Sequence, residues 1–248
     1  GDGNNAVAWF LYTGQPAEEI PRDITHARID PSVKKIGRGA FGGCEQLEMV
    51  ELCEGVERIE AQAFYGCKSL KCIKVPSTVN EIGPLAFYGC EQLVEVELCD
   101  GLEHIGPGAF NGCKSLKRMK IPSTVRDISG YAFFNCDQLV VVELSEGLKV
   151  IGERAFSACK SLTRTKVPST VREVGEWAFF NCKQLVEVEL CDGIEKIGQG
   201  AFELCVSLTG IKVPSSVKMI GEYTFCNCEQ FMEVGLCEGL EEIGERAF

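Results

Sequence analysis

Cysteine and histidine are the residues of this chain that could support nucleophilic or metal chemistry, and there are fifteen and two of them. Cysteine catalysis needs a base within hydrogen-bond reach, and a zinc site needs four ligands that converge on one point. His26 and His104 lie far apart in the sequence and do not recur. Nine cysteines recur every 23 residues, which predicts a linear column and not a cluster. These are Cys44, Cys67, Cys90, Cys113, Cys136, Cys159, Cys182, Cys205 and Cys228. We therefore expect no catalytic residue, no cofactor, no metal site and no enzyme activity.

The same spacing argues against a disulfide framework. Buried thiols behave as small apolar side chains, which is the role we expect for the nine recurring cysteines. Four others stand at least two repeats apart, about 10 Å or more in a stack, which is too far to bridge. These are Cys53, Cys99, Cys191 and Cys237. We expect mostly free thiols and hence a reducing, intracellular compartment, in line with the lack of a recognisable signal peptide in this stretch.

The recurring cysteines mark position 1 of a 23-residue repeat, C-x-x-L-x-x-V-x-L followed by V/L-x-x-I-G-x-x-A-F. Positions 7 and 9 are apolar around a polar position 8, which predicts a strand with one buried face. Positions 13, 16, 20 and 21 are apolar at spacings of three and four, which predicts a helical turn or a short irregular return path.

We predict an N-terminal cap at 1–20, a solenoid at 21–248 and no C-terminal cap. The ten units are 21–43, 44–66, 67–89, 90–112, 113–135, 136–158, 159–181, 182–204, 205–227 and 228–248.

One unit cannot bury its apolar positions alone, so the fold we predict is a repeat solenoid whose coils stack into a common core. The strand motif L-x-x-V-x-L, the segment Ile121–Val125 (I-P-S-T-V) and the motif I-G-x-x-A-F together resemble the BspA-like class of leucine-rich repeats. The segments Phe10–Gly14 and Ile20–His26 are similar to versions from diatoms and other microbial eukaryotes. The resemblance implies a right-handed coil with a parallel β-sheet on one face and short turns, 3-10 or short strand segments on the other. It also implies adhesion or protein interaction, and it carries over no catalytic residue.

Successive units alternate in charge at strand position 8. The series is Glu51, Lys74, Glu97, Lys120, Glu143, Lys166, Glu189 and Lys212. Opposite charges on neighbouring strands attract by roughly 0.2–1 kcal/mol per pair, so the alternation could simply hold the register. The alternative is a charged docking surface, although a repeating, near-neutral pattern is a poor fingerprint for one specific partner. Position 6 follows no such pattern, and non-repeating residues on a repeating scaffold can give specificity. The candidate partner-binding residues are Glu95, Arg118, Arg164 and Glu187 at position 6, and Lys120, Glu143 and Lys166 at position 8.

Two features of the strands complete the pattern. Every second unit has proline at position 10, where the strand should end because proline has no N–H to donate. Thr165 stands at position 7, where the other full units have Val, Ile or Met, and we expect its hydroxyl to bond to the backbone.

Composition narrows the functional classes. The net charge of −11 argues against binding to nucleic acid, whose phosphate backbone is also negative. The longest apolar run, Ala6–Tyr12, is far too short to span a membrane. We predict a noncatalytic scaffold that binds a protein partner through its charged strand face. The alternative is a surface-adhesion or structural array that binds glycans or extracellular matrix through repeated weak sites. We also expect end-to-end self-association through the uncapped C-terminal coil.

Overall fold

The computed structural model describes residues 8–248 and shows a solenoid in which each 23-residue unit forms one coil. The predicted fold class is confirmed. The strands in chain order are β1 (Trp9–Tyr12), β2 (His26–Ile29), β3 (Lys35–Ile36), β4 (Met49–Glu51), β5 (Arg58–Ile59), β6 (Cys72–Val75), β7 (Glu81–Ile82), β8 (Glu95–Leu98), β9 (His104–Ile105), β10 (Arg118–Lys120), β11 (Asp127–Ile128), β12 (Val141–Glu143), β13 (Val150–Ile151), β14 (Arg164–Val167), β15 (Glu173–Val174), β16 (Glu187–Leu190), β17 (Lys196–Ile197), β18 (Gly210–Lys212), β19 (Met219–Ile220), β20 (Glu233–Gly235) and β21 (Glu242–Ile243). The one helix in the described part of the chain is a 3-10 turn, Ala17–Glu19.

The coil has two parallel sheets on different sides. The side that carries β1 and the even-numbered strands is called the strand face below, and the side with the odd-numbered strands from β3 to β21 is called the return face. The return face is one uninterrupted ten-stranded sheet, whereas the strand face divides into sheets of five, four and two strands. The return path begins with a short strand, which is one of the forms that the resemblance implied, and the helical turn that the apolar spacing also allowed is not observed there. The strand face is interrupted twice, between β8 and β10 and between β16 and β18.

Proline explains where the strand face is interrupted. We call the units with proline at position 10 Pro-type (Pro76, Pro122, Pro168 and Pro214), and those with glycine at position 12 Gly-type (Gly55, Gly101, Gly147, Gly193 and Gly239). Where a Gly-type unit follows a Pro-type unit, the strands pair well: β6 with β8 and β14 with β16 share four residue partners each. Where a Pro-type unit follows a Gly-type unit, β4–β6 and β12–β14 share one partner, and pairing stops at β8–β10 and β16–β18. The Cys191 N–H donates to the Val167 carbonyl at 3.2 Å, and a proline at this position cannot make that bond.

A side-chain hydrogen bond connects the coils where strand pairing is weakest. Gly101 has φ +120°, and a Cβ there would lie 2.1 Å from the Ser77 carbonyl oxygen, so only glycine fits. The Gly101 N–H donates to Thr124 Oγ1 of the next, Pro-type coil at 3.1 Å, and that hydroxyl donates to the Leu102 carbonyl at 2.7 Å. Equivalent donations join Gly55 to Thr78, Gly147 to Thr170 and Gly193 to Ser216. The alternation of glycine and threonine at position 12 therefore links each Gly-type coil to the Pro-type coil after it.

Two columns dominate the core. The phenylalanines at position 21, from Phe41 to Phe248, stack with ring centroids 5.1–5.6 Å apart. The position 1 thiols from Cys67 to Cys228 each donate to the phenylalanine carbonyl 26 residues earlier in the chain at 3.1–3.3 Å. All fifteen cysteines are free thiols. Burial raises the pKa of the Cys113 thiol well above its usual value, so the column stays protonated at neutral pH.

The ends of the stack differ. At the start, β1 pairs in parallel with β2, and Tyr12 packs its ring on Phe41 with the centroids 5.2 Å apart. The predicted cap at 1–20 includes residues 1–7, which lie outside the described residues. In the last coil, Ile243 and Phe248 are about half exposed. The unit boundaries and the end-to-end association stay predictions.

The expectation for Thr165 is wrong. The side chain is buried in β14 opposite Val188, and its hydroxyl has no hydrogen-bond partner within the described residues. Position 7 points into the apolar core, and the backbone of β14 is already engaged in the ladder to β16.

No helix in residues 8–248 is long and apolar enough to cross a membrane.

Candidate binding surface

The candidate residues all lie on the strand face, and all seven side chains are exposed. Alternation along each strand produces this arrangement, because position 7 is buried and positions 6 and 8 point outward. In β14, for example, Arg164 and Lys166 are exposed on either side of Thr165. The strand pattern read from the sequence therefore places these charges on one open surface.

Six of the seven candidates come together on the four-stranded sheet β10–β12–β14–β16. Lys120 pairs in register with Glu143, and Arg164 pairs in register with Glu187. A shallow cleft of about 400 Å³ lies over β12, β14 and β16. Its charged lining residues are Glu143, Arg164, Lys166, Glu187 and Glu189. We call the outward side of these four strands the central strand face.

Glu95 is separated from the other candidates. It lies on β8, in register with Cys72, and the interruption between β8 and β10 stands between Glu95 and Arg118. The sequence places these two residues one repeat apart and gives no direct sign that the sheet breaks there. The proline at position 10 of every second unit was the available signal, because it removes a ladder donor at each such junction.

The charge alternation at position 8 does not form a continuous ladder. Ion pairs at this position join Arg28 to Glu51 at 2.6 Å, Lys74 to Glu97 at 2.8 Å and Lys166 to Glu189 at 2.6 Å. Each of these pairs spans a junction at which the strands pair well. The hydrogen bond that Lys166 Nζ donates to the Glu189 carboxylate raises the pKa of Lys166 above its usual value.

A second set of ion pairs, at position 2, spans the other junctions. Lys68 pairs with Glu45 at 2.8 Å, Lys114 with Glu91 at 2.9 Å and Lys160 with Asp137 at 2.9 Å. In every case the lysine belongs to a Pro-type unit and the carboxylate to the Gly-type unit before it. In the coils that have both pairs, the pairs at positions 2 and 8 connect the coil to opposite neighbours, in step with the alternation of charge between successive units.

Several charges of the central strand face take no part in this coupling. No ion pair within 4.0 Å involves Arg118, Lys120, Glu143, Arg164 or Glu187 among the residues that the structure describes. All are exposed, so their charges remain hydrated and available to a partner.

A larger cleft, about 760 Å³, lies at the interruption between β16 and β18 and was not anticipated from the sequence. Glu187, Glu189 and Asp192 line one side, and Lys212 and Ser215 line the other. Both sides belong to the strand face, so this cleft extends the central strand face toward the end of the stack.

The two histidines stand apart from each other. His26 lies on β2 of the strand face, and His104 lies on β9 of the return face. His104 Nδ1 is 2.7 Å from Asp127 Oδ2, and this hydrogen bond raises the pKa of His104. Within residues 8–248, no three His, Cys, Asp or Glu side chains form a group that could hold a metal ion.

Comparison with known proteins agrees with this architecture. The family model described as "BspA type Leucine rich repeat region (6 copies)" matches residues 21–140 and 149–248. A search of the curated proteins finds no match. A leucine-rich repeat protein from Bacteroides ovatus is 27% identical with a TM-score of 0.54, and the alignment covers 90% of this chain and 75% of that one.

The pneumococcal vaccine antigen PcpA is 22% identical with a TM-score of 0.61, which shows the fold alone. That alignment covers 95% of this chain and 62% of PcpA, so the chain spans less than two thirds of PcpA. The family match covers most of the sequence and follows the observed coils. The chain therefore belongs to the BspA-type leucine-rich repeat family.

Proposed function

We propose that the chain is a noncatalytic scaffold that binds a protein partner through the central strand face. Its leucine-rich repeat family suggests a protein-interaction or adhesion scaffold. The observation that supports the finer proposal is that Arg118, Lys120, Glu143, Arg164 and Glu187 lie close together, exposed and outside the ion pairs that couple the coils.

These residues distinguish the two interpretations of the charged face. A charge that only holds the register should pair with the neighbouring strand, as Lys166 does with Glu189. Arg164 stands in register with Glu187 but forms no ion pair with it within 4.0 Å. The position 6 charges are therefore not needed to couple the strands, which favours a role in binding.

Arginine suits this role because its planar guanidinium binds carboxylates through two parallel hydrogen bonds. Arg118 and Arg164 are exposed and lie two coils apart, a separation of about 10 Å in a parallel stack. The partner we propose carries two acidic side chains at a matching spacing, with basic groups opposite Glu143 and Glu187. Charge complementarity of this kind fixes orientation and speeds association.

The test compares two double charge reversals. Arg118→Glu with Arg164→Glu alters the central strand face. Lys149→Glu with Lys218→Glu makes the same change in net charge at two exposed position 14 residues, just before strands of the return face. Each protein is immobilised, and the proteins retained from the native lysate are identified at low and high salt.

We expect the unmodified protein and the Lys149/Lys218 variant to retain the same partner. The Arg118/Arg164 variant should lose it, and high salt should weaken retention because exposed charges are screened. Equal retention by all three proteins would contradict the proposal. Equal binding of all three to immobilised glycans or matrix proteins would favour the adhesion alternative.

A further inference from the structure

Exposed valines form a second row beside the charges of the central strand face. Val94, Val140 and Val186 stand at position 5 of alternate coils, each just before a strand, and are 40–48% exposed. We call these three residues the valine row. The Val140 N–H donates to the Lys117 carbonyl at 2.9 Å, and the Lys117 N–H donates to the Val94 carbonyl at 3.4 Å. The row therefore continues across the interruption between β8 and β10.

The two arginines of the central strand face alternate with the valine row. Arg118 and Arg164 both lie in register with Val141, the residue after Val140, so each stands one rung from the coil of Val140. The valines are two rungs apart, the arginines are two rungs apart, and the two rows are offset by one rung. At about 4.8 Å per rung, both rows repeat about every 9.6 Å with an offset of about 4.8 Å.

An α-helix that lies across the strands matches both the repeat and the offset. Seven helical residues advance about 10.5 Å and return to nearly the same side of the helix, and three or four advance about 4.5–6 Å. Over the whole valine row, four rungs span about 19 Å and fourteen helical residues span about 21 Å. Helix residues i, i+7 and i+14 therefore meet the valine row, and residues i+3 and i+10 meet the arginines.

Extended peptides do not fit this spacing. Three residues of a β-strand cover about 10 Å, but side chains at i and i+3 point to opposite faces of the strand. Three residues of a polyproline II helix cover about 9.3 Å and return to the same side. The one-rung offset then falls between two residues, and both of them point about 120° away from the first.

From this match we propose that the partner presents an amphipathic α-helix with aliphatic residues at i, i+7 and i+14 and acidic residues at i+3 and i+10. This inference rests on the proposed function, because it names the chemistry of what binds to that surface. The aliphatic side chains cover the valine row, and the carboxylates bind the guanidinium groups of Arg118 and Arg164. Positions 5 to 8 of one strand span about 10 Å, which is the diameter of a helix with its side chains.

Three fluorescently labelled peptides test the helix. Each has about 21 residues on an alanine and glutamine background, a length at which an isolated helix forms. The matched peptide has leucine at i, i+7 and i+14 and glutamate at i+3 and i+10. Its isomer has the same composition, with the glutamates moved to i+5 and i+12, away from the leucine side. The third is the matched peptide with a central proline, which breaks the helix.

Fluorescence anisotropy measures the binding of each peptide. We expect the matched peptide to bind the unmodified protein at least about tenfold more tightly than the other two. Val140→Ser with Val186→Ser should weaken that binding by about tenfold or more, since it removes two apolar contacts. Arg118→Glu with Arg164→Glu should weaken it at least as much, since it places like charges opposite the glutamates. Val150→Ser, at an exposed valine of the return face, should leave it unchanged.

Far-UV circular dichroism verifies that every variant is folded. A matched peptide that binds no more tightly than its isomer or the proline peptide would overturn the helix. So would a lysate partner that Val140→Ser with Val186→Ser retains and Arg118→Glu with Arg164→Glu loses, and this result would leave the proposed function standing. If the matched peptide binds as expected while every variant retains the same lysate proteins, the proposed function fails and the preference of the surface for a helix stands.

Discussion

At the scale of single residues, small polar groups connect the coils of an otherwise apolar core. The thiol of Cys113 fills a core position as an alkyl group would, and it also donates to the Phe87 carbonyl at 3.3 Å. A valine there would remove one of the two donors to that carbonyl, which would keep the hydrogen bond from the Cys90 N–H at 3.2 Å. The repeat of cysteine predicts burial in a column, but the sequence does not show which backbone group the thiol meets.

Thr165 is an exception among the small polar groups of the core, because its hydroxyl does not connect neighbouring coils. Thr165→Val keeps the shape of the side chain and removes a hydroxyl that has no partner within the described residues. We expect the free energy of unfolding, measured by urea denaturation, to rise by about 1 kcal/mol.

Thr224→Val is the matched control, since the Thr224 hydroxyl is also buried but donates to the Gly221 carbonyl at 2.7 Å. That variant should lose about 1–2 kcal/mol. A loss of stability in Thr165→Val would show that its hydroxyl is hydrogen-bonded after all.

At the scale of elements, strand pairing and corner hydrogen bonds alternate along the stack. Pairing is extensive from β6 to β8 and stops from β8 to β10, where Thr124 instead connects the two coils. Strands at positions 6–9 were predictable from the two-residue alternation. The short return strands followed only from the family resemblance, because two residues give no periodicity and their pairing depends on the coils above and below.

The corner bond can be tested at Thr124. Thr124→Ala removes the acceptor for the Gly101 N–H and the donor to the Leu102 carbonyl, and it should lower the free energy of unfolding by about 1–2 kcal/mol. Thr124→Ser should retain most of the stability, because Ser216 accepts the Gly193 N–H in the same way. Equal losses in both variants would assign the effect to the methyl group and not to the hydrogen bonds.

At the scale of the whole molecule, register places non-repeating residues on a common surface. The 23-residue spacing was sufficient to predict the solenoid, its core columns and the outward direction of Arg118 and Arg164. It was insufficient to predict which charges pair, because that depends on side-chain reach across each junction.

The central claim is that the partner contacts the strand face over β10–β16, and site-specific photo-cross-linking tests it most directly. A photoreactive amino acid is placed at Val141, in register with Arg118, or at Val150, an exposed valine of the return face. In native lysate, position 141 should give a cross-linked adduct that disappears with Arg118→Glu and Arg164→Glu, and position 150 should give none. An adduct from position 150 alone, or one from position 141 that survives both reversals, would contradict the account.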